Sequence, residues 1–173
     1  VSTHKVRQSS GSIDREDALS QDEVLAAIDA DTMLREVQDW AAINTGTGNI
    51  AGLDRMARIL ADAFSTLPGD VELVEPATVT AISPEGREYE KPHGKHMVLR
   101  VRPEADRRFV LTGHMDTVFP EDHPFQQVSW LDDDTINGPG TADMKGGLNV
   151  ILHALKTFET MEGASRVGYD VMI

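Results

Sequence analysis

Residues 109–117 read Phe-Val-Leu-Thr-Gly-His-Met-Asp-Thr, an apolar run followed at once by a glycine, a histidine and an aspartate. The run 109–112 predicts a buried strand. In open α/β sheets ligands bind outside the carboxyl ends of the strands, and residues two apart in an extended chain point to the same side. His114 and Asp116 are therefore predicted to face one cavity.

The two side chains in this segment have complementary metal chemistry. A neutral imidazole binds Zn²⁺ through one nitrogen, and its other N–H usually donates to a carboxylate or carbonyl that aims the ring. Asp116 can be that carboxylate for His114. The alternative is that His114 and Asp116 only cap a turn, and the pair alone does not decide between the two interpretations.

A second segment, residues 138–147, reads Gly-Pro-Gly-Thr-Ala-Asp-Met-Lys-Gly-Gly and precedes an apolar helical stripe. It is not a phosphate-binding P-loop, because Met144 stands where that motif has glycine and Gly146 where it has Ser or Thr. It is not a dinucleotide loop either, because Asp143 stands where the third glycine belongs. Both phosphate-binding motifs therefore match this segment poorly.

The remaining interpretations of this segment concern Asp143. Glycines permit positive φ and close backbone approach, so the turn can project the Asp143 carboxylate into a cavity. One carboxylate can bridge the two cations of a hydrolytic two-metal site. The alternative is that Asp143 caps a glycine-rich helix N-terminus, and the segment alone leaves both open.

Periodicity on either side of the two segments predicts an α/β fold in which helices sandwich a sheet. A capping-box pattern at Ser20 opens a helical region that continues to Ala41. Apolar positions at helical spacing predict further helices over 53–64 and 148–158. Period-two and β-rich runs predict strands at 71–74, 78–82, 97–101, 109–112, 128–131 and 168–173.

The bulk composition excludes several classes of function. The net charge of −13 argues against nucleic acid and anionic membranes as partners, because both need clustered Lys and Arg. The absence of cysteine removes disulfides, thiolate catalysis and cysteine-based zinc sites. The amino-terminal residues have no apolar secretory core. These observations lead to the expectation of a cytoplasmic protein with no nucleic-acid or membrane partner.

Taken together, His114-Met115-Asp116-Thr117-Val118 and the segment 138–147 resemble the M20 family of metallopeptidases. This family includes glutamate carboxypeptidases, acetylornithine deacetylases and succinyl-diaminopimelate desuccinylases. Asp143 follows His114 by 29 positions, a separation typical of the family. Residues 44–49, Asn-Thr-Gly-Thr-Gly-Asn, resemble the family's early loop less specifically.

The resemblance implies a partial mixed-sheet, helix-flanked catalytic domain of a two-zinc exopeptidase. It implies that His114 ligates one zinc, that Asp143 bridges both, and that Asp116 is an active-site residue orienting His114. It also implies a cis bond between Asp143 and Met144. The implied metal is zinc, two ions in the complete enzyme, with Co²⁺ or Mn²⁺ as alternatives.

The domain boundaries follow from the same pattern. Residues 1–19 are predicted to be a flexible tail, and 20–173 the amino-terminal part of an M20-type catalytic domain. The strand 168–173 reaches the last residue, which predicts a fragment, the alternative being an unusual carboxyl terminus. The resemblance implies that the dimerisation domain, the general-base Glu and the remaining ligands lie downstream of the fragment. The fragment alone is predicted to be inactive, whereas the full-length parent is expected to be a homodimer.

The implied reaction is zinc-dependent hydrolysis of an amide bond in a small peptide or an N-acyl amino acid. Carboxypeptidase and deacylase chemistry stay open, because both break an amide. The competing class is a catalytically dead relative that serves as a binding or scaffold module. His93 and His96 are interpreted as solvent-exposed residues in a polar turn. Lys145 is predicted either to pair with a carboxylate or to hold the loop.

Overall fold

The structure is a computed structural model that describes residues 21–26 and 28–173. The predicted tail, residues 1–19, and the capping residue Ser20 lie outside the described residues. The described helices and strands follow in chain order: α1 Gln21–Ala26, α2 Ala30–Ala41, α3 Ile50–Phe64, β1 Asp70–Val74, β2 Val79–Ile82, β3 Glu88–Lys91, β4 His96–Val101, β5 Arg107–Thr112, β6 Ser129–Trp130, β7 Ile136–Asn137, α4 Lys145–Glu159 and β8 Val167–Met172.

The first helical region is divided in two, where the sequence predicted one continuous region. Asp29 is the N-cap of α2, and its side chain accepts a hydrogen bond from the backbone N–H of Thr32 at 3.0 Å. Such a cap satisfies one of the N–H groups that have no partner inside the helix. The interruption is therefore a helix start, which the periodicity of the apolar residues does not show.

The loop between α2 and α3 ends at Asn49, which is the N-cap of α3. Asn49 accepts a hydrogen bond from the backbone N–H of Gly52 at 2.9 Å, so α3 begins at Ile50 rather than at Leu53 as predicted. The apolar face of α3 packs on β1 and β4. The loop 43–49 is thereby held beside the ends of the strands, where it meets the candidate site.

A four-stranded mixed sheet is the centre of the fold, with strand order β1-β4-β8-β5. The pairs β1–β4 and β4–β8 are antiparallel, whereas β8 and β5 are parallel. Two hairpins, β2–β3 and β6–β7, stand outside this sheet. The mixed α/β class predicted from the sequence is confirmed; strands β3 and β7 were not predicted.

The core lies on one face of the sheet. Met97, Leu99 and Val101 of β4 belong to this core, whereas Arg100 between them is exposed. Tyr169 and Val171 of β8 continue the same face. Apolar residues of α2, α3 and α4 pack against them. The sequence predicted helices on both faces; among the described residues they cover this one.

Strand β5 corrects a second expectation, since 109–112 was predicted to be buried. It is an edge strand paired only with β8 among the described strands. Val110 is 53% exposed because it points to the face that carries no described helix, whereas Leu111 packs against the core. The apolar character of β5 was recognised correctly, but its neighbours cannot be inferred from its own sequence.

Within residues 21–26 and 28–173, no helix combines the length and the apolar character that crossing a bilayer requires.

Candidate functional site

His114 and Asp116 lie in the loop that follows β5, and the ring of His114 turns back towards Asp116. Nδ1 of His114 is 3.1 Å from Oδ1 of Asp116 and 3.1 Å from its backbone oxygen. Both partners are acceptors, so Nδ1 carries the proton and donates. The predicted pairing of the two side chains is therefore present in the structure.

Asp143 reaches the opposite nitrogen of the same ring. Its Oδ1 lies 3.0 Å from Nε2 of His114, although the two residues are 29 positions apart. The turn that carries Asp143 contains Gly140 at φ +79° and ends in a cis bond between Asp143 and Met144. The structure thus brings together His114, Asp116 and Asp143; their roles as ligands and orienting residue stay predictions.

The helix-cap interpretation of Asp143 is wrong. The residue at the N-cap position of α4 is Met144, and no side chain makes a capping hydrogen bond there. The Asp143 side chain is 86% exposed and points to His114 instead. The Asp143 carboxylate is consequently available to contact a ligand, because it does not cap α4.

The donor set fits a borderline divalent cation. Ligand atoms bound to one tetrahedral zinc ion lie about 3.3 Å apart, since each bond is about 2.0–2.2 Å long. The separation of 3.0 Å between Nε2 of His114 and Oδ1 of Asp143 is close to that value. Across residues 21–26 and 28–173, no cluster of three or more His, Cys, Asp or Glu residues suited to a metal occurs, so the set is incomplete.

The electrostatics of His114 reflect its two carboxylate neighbours. Burial alone would lower the pKa of His114, but the hydrogen bonds to Asp143 and Asp116 outweigh burial and raise it. Nε2 faces a carboxylate oxygen of Asp143, so a proton on Nε2 would donate to Asp143. A cation at the same point would take the place of that proton.

The loop 43–49 forms the third side of the site. Gly46 and Thr117 form a parallel bridge, with the Thr117 N–H donating to the Thr45 carbonyl at 2.8 Å. Thr47 Oγ1 donates to Oδ2 of Asp116 at 2.7 Å. A Cβ atom on Gly46 would lie 2.5 Å from the carbonyl oxygen of Phe119, so glycine is required for this approach. Sequence reasoning identified the loop but not Thr47.

Lys145 joins the Asp143 turn to the same loop. Its side chain is fully buried, and Nζ donates to the backbone carbonyl of Ile43 at 2.7 Å. Burial lowers the pKa of Lys145 to about 8. Of the two roles predicted for Lys145, holding the loop is the one observed, and the partner is a carbonyl rather than a carboxylate.

Two cavities adjoin His114 and Asp116. One, of about 460 Å³, lies towards the β2–β3 hairpin and includes Leu53, His93 and Ile173 in its walls. The other, of about 300 Å³, is lined by Asp143 and by Phe119 and Phe125, whose ring centroids are 4.9 Å apart. The candidate metal donors therefore stand between two spaces large enough for parts of a small ligand.

The prediction that His93 and His96 are both exposed is confirmed for one of them and wrong for the other. His96 is exposed, as predicted, but His93 is half-buried and its Nε2 is buried without a hydrogen-bond partner. The prediction of an exposed pair is therefore wrong for His93. The turn carrying it folds over Leu53, against which Gly94 packs closely.

Comparison with known proteins agrees with the resemblance seen in the motifs. The sequence model described as Peptidase family M20/M25/M40 matches residues 110–168, the stretch containing His114, Asp116 and Asp143. The chain is a relative of the M20 peptidases. Carboxypeptidase G2 of Pseudomonas sp. strain RS-16 is 28% identical over 124 residues, which are 72% of this chain and 27% of that protein.

Solved structures show the same fold. Human carnosine dipeptidase 1 matches 91% of this chain and 35% of its own, with a TM-score of 0.70 and 20% identity. An M20 family metallo-carboxypeptidase of Sulfolobus solfataricus matches 81% of this chain and 30% of its own, with a TM-score of 0.60 and 18% identity. The chain thus spans roughly a third of the length of these M20 relatives.

Proposed function

We propose that this chain contributes His114 and Asp143 to the metal centre of a zinc-dependent hydrolase that cleaves an amide bond. The observation that carries the proposal is the convergence of Nε2 of His114 and Oδ1 of Asp143 at 3.0 Å, with the other ring nitrogen held by Asp116. The match of residues 110–168 to a peptidase family supports it.

His114, Asp116 and Asp143 have different proposed roles at the metal site. Asp116 accepts a hydrogen bond from Nδ1–H of His114, which fixes the direction of the ring and would leave the lone pair of a deprotonated Nε2 for a cation. Asp143 presents an exposed carboxylate at the same point. With two carboxylate oxygens, Asp143 could hold two ions. When bound, zinc polarises a carbonyl and lowers the pKa of water to about 7.

The substrate class follows from the relatives rather than from this site. Carboxypeptidase G2 and carnosine dipeptidase 1 are named for cleaving peptides, so a small peptide or an N-acyl amino acid is proposed here. Residues 20–173 are proposed to be the amino-terminal part of the catalytic domain. The base, the further ligands and the homodimer contact are proposed for other parts of the protein.

A second candidate, a binding or scaffold module without catalysis, is favoured by one observation. Zinc sites use three or four protein ligands, whereas two candidate donors converge in the described part of the chain. The hydrolase requires that other parts of the whole protein supply the missing metal ligands, whereas the binding module does not.

Substitution of Asp143 in the whole protein that contains the chain tests the metal-site proposal. Asp143→Ala should lower zinc content and reduce hydrolysis of N-acyl amino acids and dipeptides by on the order of 1,000-fold, since metal catalysis contributes several kcal/mol. Product amines are quantified with and without chelator and added Zn²⁺.

The control is Asp133→Ala, which removes the same charge from an exposed turn. It should leave both zinc content and rate unchanged. Unaltered activity in Asp143→Ala would exclude the bridging role. A wild-type protein that binds zinc but cleaves no amide would favour the binding module.

A further inference from the structure

The carboxylate of Asp116 is held from two sides. Its Oδ1 faces Nδ1 of His114 at 3.1 Å, and its Oδ2 accepts from the hydroxyl of Thr47 at 2.7 Å. The Thr47 oxygen is also 3.4 Å from the carbonyl of Thr117, but its single proton serves the nearer, charged acceptor. A chain of polar contacts therefore runs from Thr47 through Asp116 and His114 to Asp143.

Thr47 has a fixed position because its backbone is bound to the loop that carries Asp116. The N–H of Thr47 donates to the carbonyl of Thr117 at 3.1 Å, beside the bridge between Gly46 and Thr117. Gly46 permits this close approach. These backbone contacts thus hold the Thr47 hydroxyl next to Asp116, although Thr47 is exposed to solvent.

We propose that Thr47 is a positioning residue that holds the Asp116 carboxylate in the orientation in which it fixes the His114 ring for a metal ion. This inference rests on the proposed metal site. A carboxylate can rotate about its bond to Cβ, and a donor on Oδ2 keeps Oδ1 directed at the imidazole. Groups that orient a ligand in this way commonly change metal affinity by 10–100-fold when removed.

The test is a titration of the metal-free whole protein with Co²⁺, followed by its visible absorption, in wild type and Thr47→Val. Valine keeps the shape of threonine and removes the hydroxyl. The apparent dissociation constant for Co²⁺ should rise about tenfold. Thr47→Ser restores a hydroxyl at the same place and should return the constant to within about twofold of wild type.

The chain offers a matched control two residues earlier. Thr45 lies in the same loop and is fully buried, and its hydroxyl has no hydrogen-bond partner. Thr45→Val removes no hydrogen bond, so Co²⁺ affinity should be unchanged. Urea unfolding of the metal-free variants separates loss of affinity from loss of folding, because Thr47→Val removes only an exposed hydrogen bond and should unfold at close to the wild-type urea concentration.

Failure of the Thr47 role can be distinguished from failure of the proposed metal site. Wild-type affinity in Thr47→Val, an equal loss in Thr45→Val, or no recovery in Thr47→Ser would overturn the role of Thr47 while leaving the metal site intact. A wild-type protein that binds no Co²⁺ would overturn both the metal site and the positioning role.

Discussion

At the scale of single residues, the site depends on backbone positions that only glycine occupies without cost. Gly140 has φ +79°, and a Cβ atom there would lie 2.9–3.0 Å from the middle of the buried Lys145 side chain. Gly140 therefore meets two requirements, a left-handed conformation and room for Lys145. The same lysine ties the Asp143 turn to the Ile43 carbonyl.

Gly140→Ala should accordingly destabilise the protein more than Gly86→Ala. Both positions have almost the same φ, +79° and +78°, but Gly86 has open space around it. Each substitution incurs the left-handed cost of about 1 kcal/mol, and Gly140→Ala adds displacement of Lys145, for about 2–3 kcal/mol in total. Urea unfolding of the two variants measures the difference, and equal values would show that Lys145 moves freely.

At the scale of elements, helices α2 and α4 are joined by a polar contact within an otherwise apolar interface. Oε2 of Glu36 on α2 accepts from Nδ2 of Asn149 at 2.6 Å and faces Nε2 of His153 at 2.7 Å, both on α4. Asn149 is almost fully buried. Since α4 begins two residues after Asp143, this contact also fixes the helix that follows the candidate site.

Glu36→Ala should lower the free energy of unfolding by about 1–3 kcal/mol, because it leaves the buried Asn149 amide without its acceptor. Asp39→Ala removes an exposed carboxylate from the same helix and should change stability by less than about 0.5 kcal/mol. Equal effects in thermal or urea unfolding would contradict a specific role for the Glu36 contact.

At the scale of the whole molecule, a charged cluster joins the end of α4 to the sheet. Glu159 binds the guanidinium of Arg102 and accepts from the Tyr169 hydroxyl at 2.9 Å, and Arg102 also donates to the Val167 carbonyl at 2.7 Å. Burial alone would raise the pKa of Glu159, but the bonds from Arg102 and Tyr169 outweigh it and hold the pKa below its ordinary value.

The depressed pKa of Glu159 gives stability a defined pH dependence. Its contribution is complete above the unfolded value of about 4.3 and is lost as the pH falls through the lower folded value. Glu159→Gln should therefore lower the free energy of unfolding by about 1–3 kcal/mol at pH 7, and the deficit should shrink at pH 3. Exposed Glu162→Gln is the control and should show no such deficit. A deficit equal at both pH values would rule out the ionised Glu159 as its source.

The sequence predicted elements best where one local pattern decided them. The stripe 148–158 and the run 97–101 emerged as α4 and β4 with small shifts of their ends. The break before α2 and the short strands β3 and β7 were missed, because a cap, or a pairing partner brought in by a turn, determined them. Strand β5 was identified correctly but placed wrongly in the interior, since burial depends on which strands lie beside it.

The sequence by itself determined the mixed α/β class and the relationship to the M20 peptidases, and it predicted His114, Asp116 and Asp143 as site residues, a role that stays a prediction. Residue type and spacing carry that information because the chemistry of imidazole and carboxylate is local. Only the tertiary structure decided that Asp143 reaches His114 rather than capping α4, that Thr47 holds Asp116, and that Lys145 binds the Ile43 carbonyl. These contacts join residues 29 to 102 positions apart, and distance along a chain gives no measure of distance in the fold.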